Sequence, residues 1–360
     1  MEKLIPTFTD ITSWEIPVYQ STGGTRSKNI AIHPETGDQY FFKGSKETDK
    51  GEIRYPQEFW SEIVASKIGQ LLGFKMLDYN IAYNKNKKQE IGCLSKSMVV
   101  HSDNKLTEGV TYLTGFDSKY RPDILQHKRL YTFQFICSAL QSFHLENHIE
   151  NLVEVIIFDS IIGNSDRHQE NWGIITNFRG AIHTPSEETS VAFFSKTTTK
   201  LEKVINRFLS NNSDIGDKII KPHLVVKSDI LPNEFAPIYD SGCCLGRENL
   251  DEKIFKLLND KNMLDAYVKK GVSEIHWEGE EKKKNHFNLI ELIETKHRAK
   301  VLSVILNIKE KYSLDALRHI INHADSKLPD DLRQFKLEEH RKELMFKLVT
   351  LRLELLFNHI

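Results

Sequence analysis

Gly163, Asn164, Ser165, Asp166, Arg167, His168, Gln169, Glu170 and Asn171 form one unbroken run, and Ile238, Tyr239, Asp240, Ser241 and Gly242 form a second one further along. The two together read as a phosphoryl-transfer site. Asp166 is spaced to orient an attacking hydroxyl, and Asn171, five positions on, to hold a magnesium ion. Asp240 ends an apolar run and precedes Ser-Gly, which suits a second magnesium ligand. A nucleoside triphosphate brings several negative charges, and hard oxygen ligands are what hold a divalent cation against its β and γ oxygens. Either Asp166 or Asn171 alone would read as an ordinary turn residue; it is the ordered set of three that carries the chemistry.

Outward from this run the pattern predicts the elements that carry it. Leu130 to Phe143 and Ile149 to Ile162 are apolar and free of proline, as buried helices are, and the second leads straight into the Asp166 loop. Trp172 to Ile175 and Phe235 to Tyr239 are short apolar runs that can pair as strands, which would bring Asn171 and Asp240 to neighbouring ends. Between them lies an insert at about 177–234, too long for a simple loop. It contains a helical pattern from Thr199 to Leu209 (Leu201, Val204, Ile205, Phe208) between polar stretches. From Leu250 onward the chain reads as charged helices, the last of them over 336–358 with Leu337, Leu344, Leu348, Leu351 and Leu355 on one face.

The first hundred residues read differently. Ile16 to Val18, Asn29 to Ile32 and Tyr40 to Phe42 predict a hairpin or meander, with Pro34 to Gly37 as a turn. Pro56 can open a helix carrying Trp60, Val64, Ile68 and Leu71 that ends at Gly73. Met76 to Tyr83 and Ile91 to Val100 complete a small sheet with one helix across it. His101 to Asp123 reads as a polar connector. At 360 residues the chain exceeds one compact core, so two lobes are expected, 1–100 and 101–360.

Composition narrows the setting. With 39% hydrophobic and 28% charged residues, 20 Phe and 11 Tyr, the chain has the material for an ordinary globular core. A formal net charge of −1 gives no global attraction to nucleic acid or to an acidic membrane. No run approaches the roughly 20 apolar residues of a membrane span, and no signal-peptide pattern opens the chain. Cys93, Cys137, Cys243 and Cys244 lack C-x-x-C spacing, which fits reduced thiols and a cytoplasmic setting as encoded; secretion as an effector by an uncleaved signal would leave no mark here. His144/His148 and His319/His323 are i, i+4 pairs without a third ligand or the Glu of H-E-x-x-H, and read as core or solvated histidines.

The Gly163–His168 loop with Asn171, the Tyr239-Asp240 pair and the order of the two lobes resemble the HipA-like serine/threonine kinases, from about residue 18 to residue 246 and more weakly beyond. The start of the match close to Met1 is similar to short stand-alone, CtkA-like members and leaves no room for an additional N-terminal subdomain. The resemblance implies an α+β, bilobal protein-kinase-like fold, with a small β-rich N-lobe and a larger, mainly helical C-lobe. It also implies ATP and Mg2+ as cofactors and a protein substrate with a Ser or Thr acceptor. Asp166 would be the catalytic base or hydroxyl-orienting residue, and Asn171 and Asp240 the metal ligands. Lys43, at the end of Tyr40-Phe41-Phe42-Lys43, would steady the α and β phosphates, in preference to Lys46. Glu62 in the Pro56–Leu72 segment would face that lysine, with Glu58 one turn earlier as its competitor. His168 would either orient the loop or touch a phosphate, or else bond to nearby backbone. Ser21, Gly23, Gly24, Thr25 and Lys28 occupy the place of a phosphate-covering loop, although a glycine pair serves a hairpin equally well. This loop matches neither G-x-G-x-x-G nor Walker A, and Ser21 would match a self-phosphorylated regulatory serine.

Two departures and two rivals complete the reading. The Asn171 to Asp240 distance exceeds the family spacing, which leaves Asp214, Asp217 and Asp229 as nearer candidates, though only Asp240 has a strand before it and Ser-Gly after it. Asp166-Arg167-His168 with Asn171 also resembles the D-R-H-x-x-N loop of phosphatidylinositol kinases. That reading calls for a membrane-facing basic element, and none is legible. A catalytically silent nucleotide-binding regulator is the third reading.

Overall fold

A computed structural model describes residues 2–17, 28–48, 50–99, 104–177 and 233–359. The fold is mixed α+β, with a small β-sheet part and a larger helical part. By compactness the chain divides into Met1–Met98 with Glu150–Trp172 and Pro237–Ile360 as one unit, and Val99–Ile149 with Gly173–Ala236 as the other. This division follows different lines from a single boundary near residue 100, because the chain leaves the first unit and returns to it twice.

In the first unit, β1 (Phe8–Asp10), β2 (Lys28–Ile32), β3 (Gln39–Lys43), β4 (Asn80–Tyr83) and β5 (Ile91–Lys96) form a sheet in the order β1-β4-β5-β3-β2. β1 pairs with β4 in parallel, and the other pairs are antiparallel. Ile11, Ala31, Phe42, Ala82 and Leu94 gather in one apolar cluster there. The β2–β3 turn is held by His33, whose Nδ1 accepts from the N–H groups of Glu35 and Thr36, both at 3.3 Å. The extended stretch expected at Ile16 to Val18 is reduced to a single bridge, Glu15 to Ile32, and Val18 lies outside the described residues. Met76 likewise forms a lone parallel bridge to Ile238 ahead of β4.

Helix α1 (Glu58–Leu71) is buried along nearly its whole length, including Trp60, Ile63, Val64 and Ile68. It ends at Leu71, and Gly73 just beyond takes φ 85, a conformation that costs a glycine little, so that the Gly73 N–H reaches Gln70 O (3.2 Å) and the Phe74 N–H reaches Gly69 O (2.9 Å). The carbonyls freed at the helix end are thereby satisfied. Helices α2 (Gly109–Phe116) and α3 (Phe133–Ser142) belong to the other unit. α4 (Ile149–Ile162) matches the expected apolar helix and feeds directly into the Asp166 loop.

The C-terminal part of the first unit holds α5 (Asp251–Asn259), α6 (Lys261–Lys270), α7 (His286–Lys311), α8 (Leu314–Asn322) and α9 (Glu339–Phe357). Three of these helices start on a side-chain cap. Asp260 accepts from Met263 N, Asn285 from Asn288 N and Ser313 from Ala316 N. Ile254 and Leu257 of α5, Leu264 and Val268 of α6, and Leu344 and Leu348 of α9 form one apolar cluster. Leu337 is buried, as its place on the expected helix face implies, but it precedes α9.

In the second unit, β6 (Asn104–Glu108), β7 (Gly173–Asn177) and β8 (Glu234–Phe235) make an antiparallel sheet in that order. Of the expected pairing between Trp172–Ile175 and Phe235–Tyr239, Ile174↔Phe235 is present; β8 runs back to Glu234, opposite Ile175, and Ile238 bridges Met76 instead. The stretch read as a polar connector contains β6 and α2. The helical pattern at Thr199–Leu209, with most of the insert, lies outside the described residues.

Candidate active site

Lys43 ends β3 and is 4% exposed. An ammonium in such a place is tolerated only with charged partners. Its Nζ donates to Glu62 Oε2 at 2.7 Å and to Asp240 Oδ1 at 2.6 Å. α1 supplies Glu62, and the other oxygen of that carboxylate accepts from the Ser241 N–H at 2.6 Å. Asp240 sits at φ 54, a left-handed conformation a non-glycine residue adopts at a cost. The cost is held in place on both sides of the peptide. Asp240 N donates to Tyr79 Oη (3.4 Å), and Ser241 N is held by Glu62. Burial, with Glu62 and Asp240 close by, pushes the Tyr79 phenol well above its ordinary value, so it stays neutral.

The loop after α4 is built on Asp159 and Arg167. Gly163, at φ 67, turns the chain, and Asn164 N donates to Asp159 O (2.9 Å). Arg167 Nε and Nη2 donate to the two oxygens of Asp159 (2.9 and 2.8 Å), a buried fork-to-fork pair. Arg167 Nη1 reaches the carbonyls of Asn171 (2.8 Å) and Tyr239 (2.5 Å), and Nη2 reaches Ser241 Oγ (3.0 Å). One guanidinium thus ties the Asp166 loop to the segment carrying Asp240. Burial opposes the charge on Arg167, but Asp159 outweighs it and raises the guanidinium above its usual value.

Within the loop, Asn171 Nδ2 donates to Asp166 O (2.8 Å). The amide oxygen is then the end that can meet a cation. Asp166 lies in the same loop as Asn171, and Arg167 ties that loop to the segment of Asp240, which with Glu62 holds Lys43. Carboxylate and amide oxygens of this kind are the donors a hard divalent cation takes. His168 Nδ1 accepts from Glu170 N (3.3 Å) and lies 4.0 Å from Glu170 Oε2, the local-backbone alternative of the sequence reading.

The competitor Glu58 has other partners than Lys43. Its Oε2 accepts from Lys46 N at 2.9 Å, and its Oε1 lies 3.5 Å from Arg247 Nη1. Ser21, Gly23, Gly24 and Thr25 lie outside the described residues, and of Lys28 only the backbone, opening β2, is described. Asp214, Asp217 and Asp229 lie outside them as well.

Asp159, Arg167, Ser241, Cys243 and Arg247 were not singled out from sequence. Asp159 carried a signal, an acid inside Phe158-Asp159-Ser160 of an apolar helix, which implies a buried partner. The His319 and His323 rings pack 4.2 Å apart and His323 Nδ1 lies 2.9 Å from His319 O, so that pair is committed to each other and to backbone. Among the described residues, Asp251, Glu338 and His340 come within ligand distance of one another, but Arg341 already ion-pairs with both acids.

Among the described residues no helix is long and apolar enough to cross a membrane. None of the four cysteines, all of them among the described residues, is in a disulfide. No family model and no curated protein sequence matches this chain. Among solved structures it is similar to the proinflammatory kinase CtkA of Helicobacter pylori, at 18% identity and a TM-score of 0.65, over 98% of each chain. The fold carrying the Lys43, Asp166 and Asp240 constellation is therefore a kinase-like one.

Proposed function

We propose that this protein is an ATP- and magnesium-dependent kinase that phosphorylates Ser or Thr hydroxyls of proteins, its own among them. The observation that carries the reading is Lys43, buried between Glu62 and Asp240 while Arg167 fastens the Asp166–Asn171 loop to the same Asp240 segment. In this reading Lys43, held by Glu62, meets the phosphates of the nucleotide. Asp240 and the Asn171 amide oxygen would hold magnesium, which when bound neutralises charge on the β and γ oxygens. Asp166 aligns the acceptor hydroxyl and takes its proton as the new P–O bond forms and the bond to the β-phosphate oxygen breaks. Positioning and fixed charge supply most of the rate.

Intact mass after incubation with ATP and magnesium tests this. Wild-type protein gains one or more phosphates, mapped to Ser or Thr, while Asp166→Ala gains none and still binds ATP. A wild-type protein that binds ATP yet transfers phosphate neither to itself nor to any protein would overturn the reading. Ser21 is the expected site, and its absence from the phosphopeptide map would sink that assignment alone.

A further inference from the structure

Glu58 and Glu62 stand one helical turn apart on α1 and serve different halves of the site. Glu62 holds Lys43 and the Ser241 N–H. From Glu58 a second line of contacts starts. Arg247 lies against Glu58 Oε1 (3.5 Å) and over the Tyr55 ring (4.4 Å), and its Nη2 donates to Cys243 Sγ at 2.9 Å. Cys243 Sγ in turn donates to Asp166 Oδ2 at 3.0 Å. Glu58 Oε1 also lies within reach of the thiol, at 3.9 Å, but Asp166 Oδ2, at 3.0 Å, is nearer, so the single proton, with the guanidinium donating to a sulfur lone pair, favours Asp166.

We propose that Cys243 is a positioning residue for Asp166, holding its carboxylate in one rotamer, with Arg247 and Glu58 orienting the thiol from behind. The proposal rests on the kinase reading for its functional consequence, but the contact itself does not. Cys243 is 8% exposed and shares its segment with Asp240, so a single stretch of chain supplies both a candidate metal ligand and the group that fixes Asp166. α1 then governs both ends of the site: the phosphate-side lysine through Glu62 and the acceptor-side carboxylate through Glu58. A hydrogen bond to a charged acceptor is worth more than a neutral one, and misplacing a catalytic carboxylate by even an ångström is costly to rate.

Two measurements decide it. The infrared S–H stretch of Cys243, isolated as the difference between wild type and Cys243→Ser, is expected at low frequency. It should move to higher frequency in the Asp166→Asn background, isolated by the same difference. In phosphoryl transfer, Cys243→Ala is expected to lower kcat about tenfold with KM for ATP unchanged. Cys243→Ser, which keeps a donor and an acceptor, stays within about threefold of wild type. Glu58→Gln should lower kcat in the same direction as Cys243→Ala. An S–H band indifferent to Asp166, or a serine variant as impaired as the alanine one, overturns the proposal. If wild type transfers no phosphate, the kinase reading falls, and the band alone tells whether the thiol donates to Asp166.

Discussion

Asp159 accepts from Arg167 at both of its oxygens, 2.8 and 2.9 Å away, and neither side chain is more than a few per cent exposed. Removing one member of such a pair strands a buried charge. Arg167→Met should therefore destabilise the protein by about 3–5 kcal/mol, read by urea denaturation. Arg167→Lys keeps the charge but loses the fork and the two carbonyl contacts, so it should fall between Met and wild type in stability.

The separate partners of the two glutamates predict separable effects. Lys43→Met should lower phosphoryl transfer by about two to three orders of magnitude. Glu62→Gln should weaken transfer less, because an amide still accepts one hydrogen bond from Lys43 but without charge. Calorimetric titration with ATP beside phosphate incorporation checks both. Glu58→Gln should leave ATP affinity at the wild-type value, and a loss of affinity there as large as in Glu62→Gln would contradict the division of labour.

Gly163 couples backbone to packing at the mouth of the Asp166 loop. Its φ is 67, and a Cβ there would fall 2.3 Å from Arg352 Nη2. Arg352 Nη1 also donates to Ile162 O at 3.3 Å, so the side chain that would have to move is one that helps close α4. Gly163→Ala should cost about 1–3 kcal/mol and should slow phosphoryl transfer, whereas Gly37→Ala, at φ 70 with open space around its Cβ position, should cost strain alone. Thermal unfolding of the two variants compares them directly.

His286 gives the protein an acid limit. Burial, with the Arg352 guanidinium adding to it, lowers its imidazole to about 3. Folded, the ring stays neutral; unfolded, it takes a proton below about pH 6.5. The unfolded state then binds more protons, so stability falls as pH drops from about 6.5 towards 3, by roughly 1.4 kcal/mol per unit for this group. His286→Leu should flatten that part of the stability curve, measured by denaturation at a series of pH values between 4 and 7.

Sequence pattern located α4, the Asp166 loop, the β2–β3 hairpin and the β7–β8 pairing, because each is written in local periodicity or turn chemistry. It could not separate Glu58 from Glu62: residues four apart share a helix face, and only tertiary neighbours distinguish them. β1 has three residues and pairs in parallel with a strand far along the chain, so nothing local announces it. β6 and α2 were hidden by polar and glycine-containing sequence, where packing overrides propensity. Cys243 had no spacing partner to mark it, and its importance comes only from the fold that sets it beside Asp166.

The two carboxylates that hold Lys43 lie 19 and 197 residues further along the chain. During translation the first is available almost at once, and the second follows only after roughly ten to forty seconds at ordinary elongation rates. Through that interval the nascent polypeptide has its lysine and its helix but lacks the aspartate that completes the trio. Until Asp240 has been made, Lys43 of the growing chain can meet only one of the two carboxylates that hold it in the finished protein.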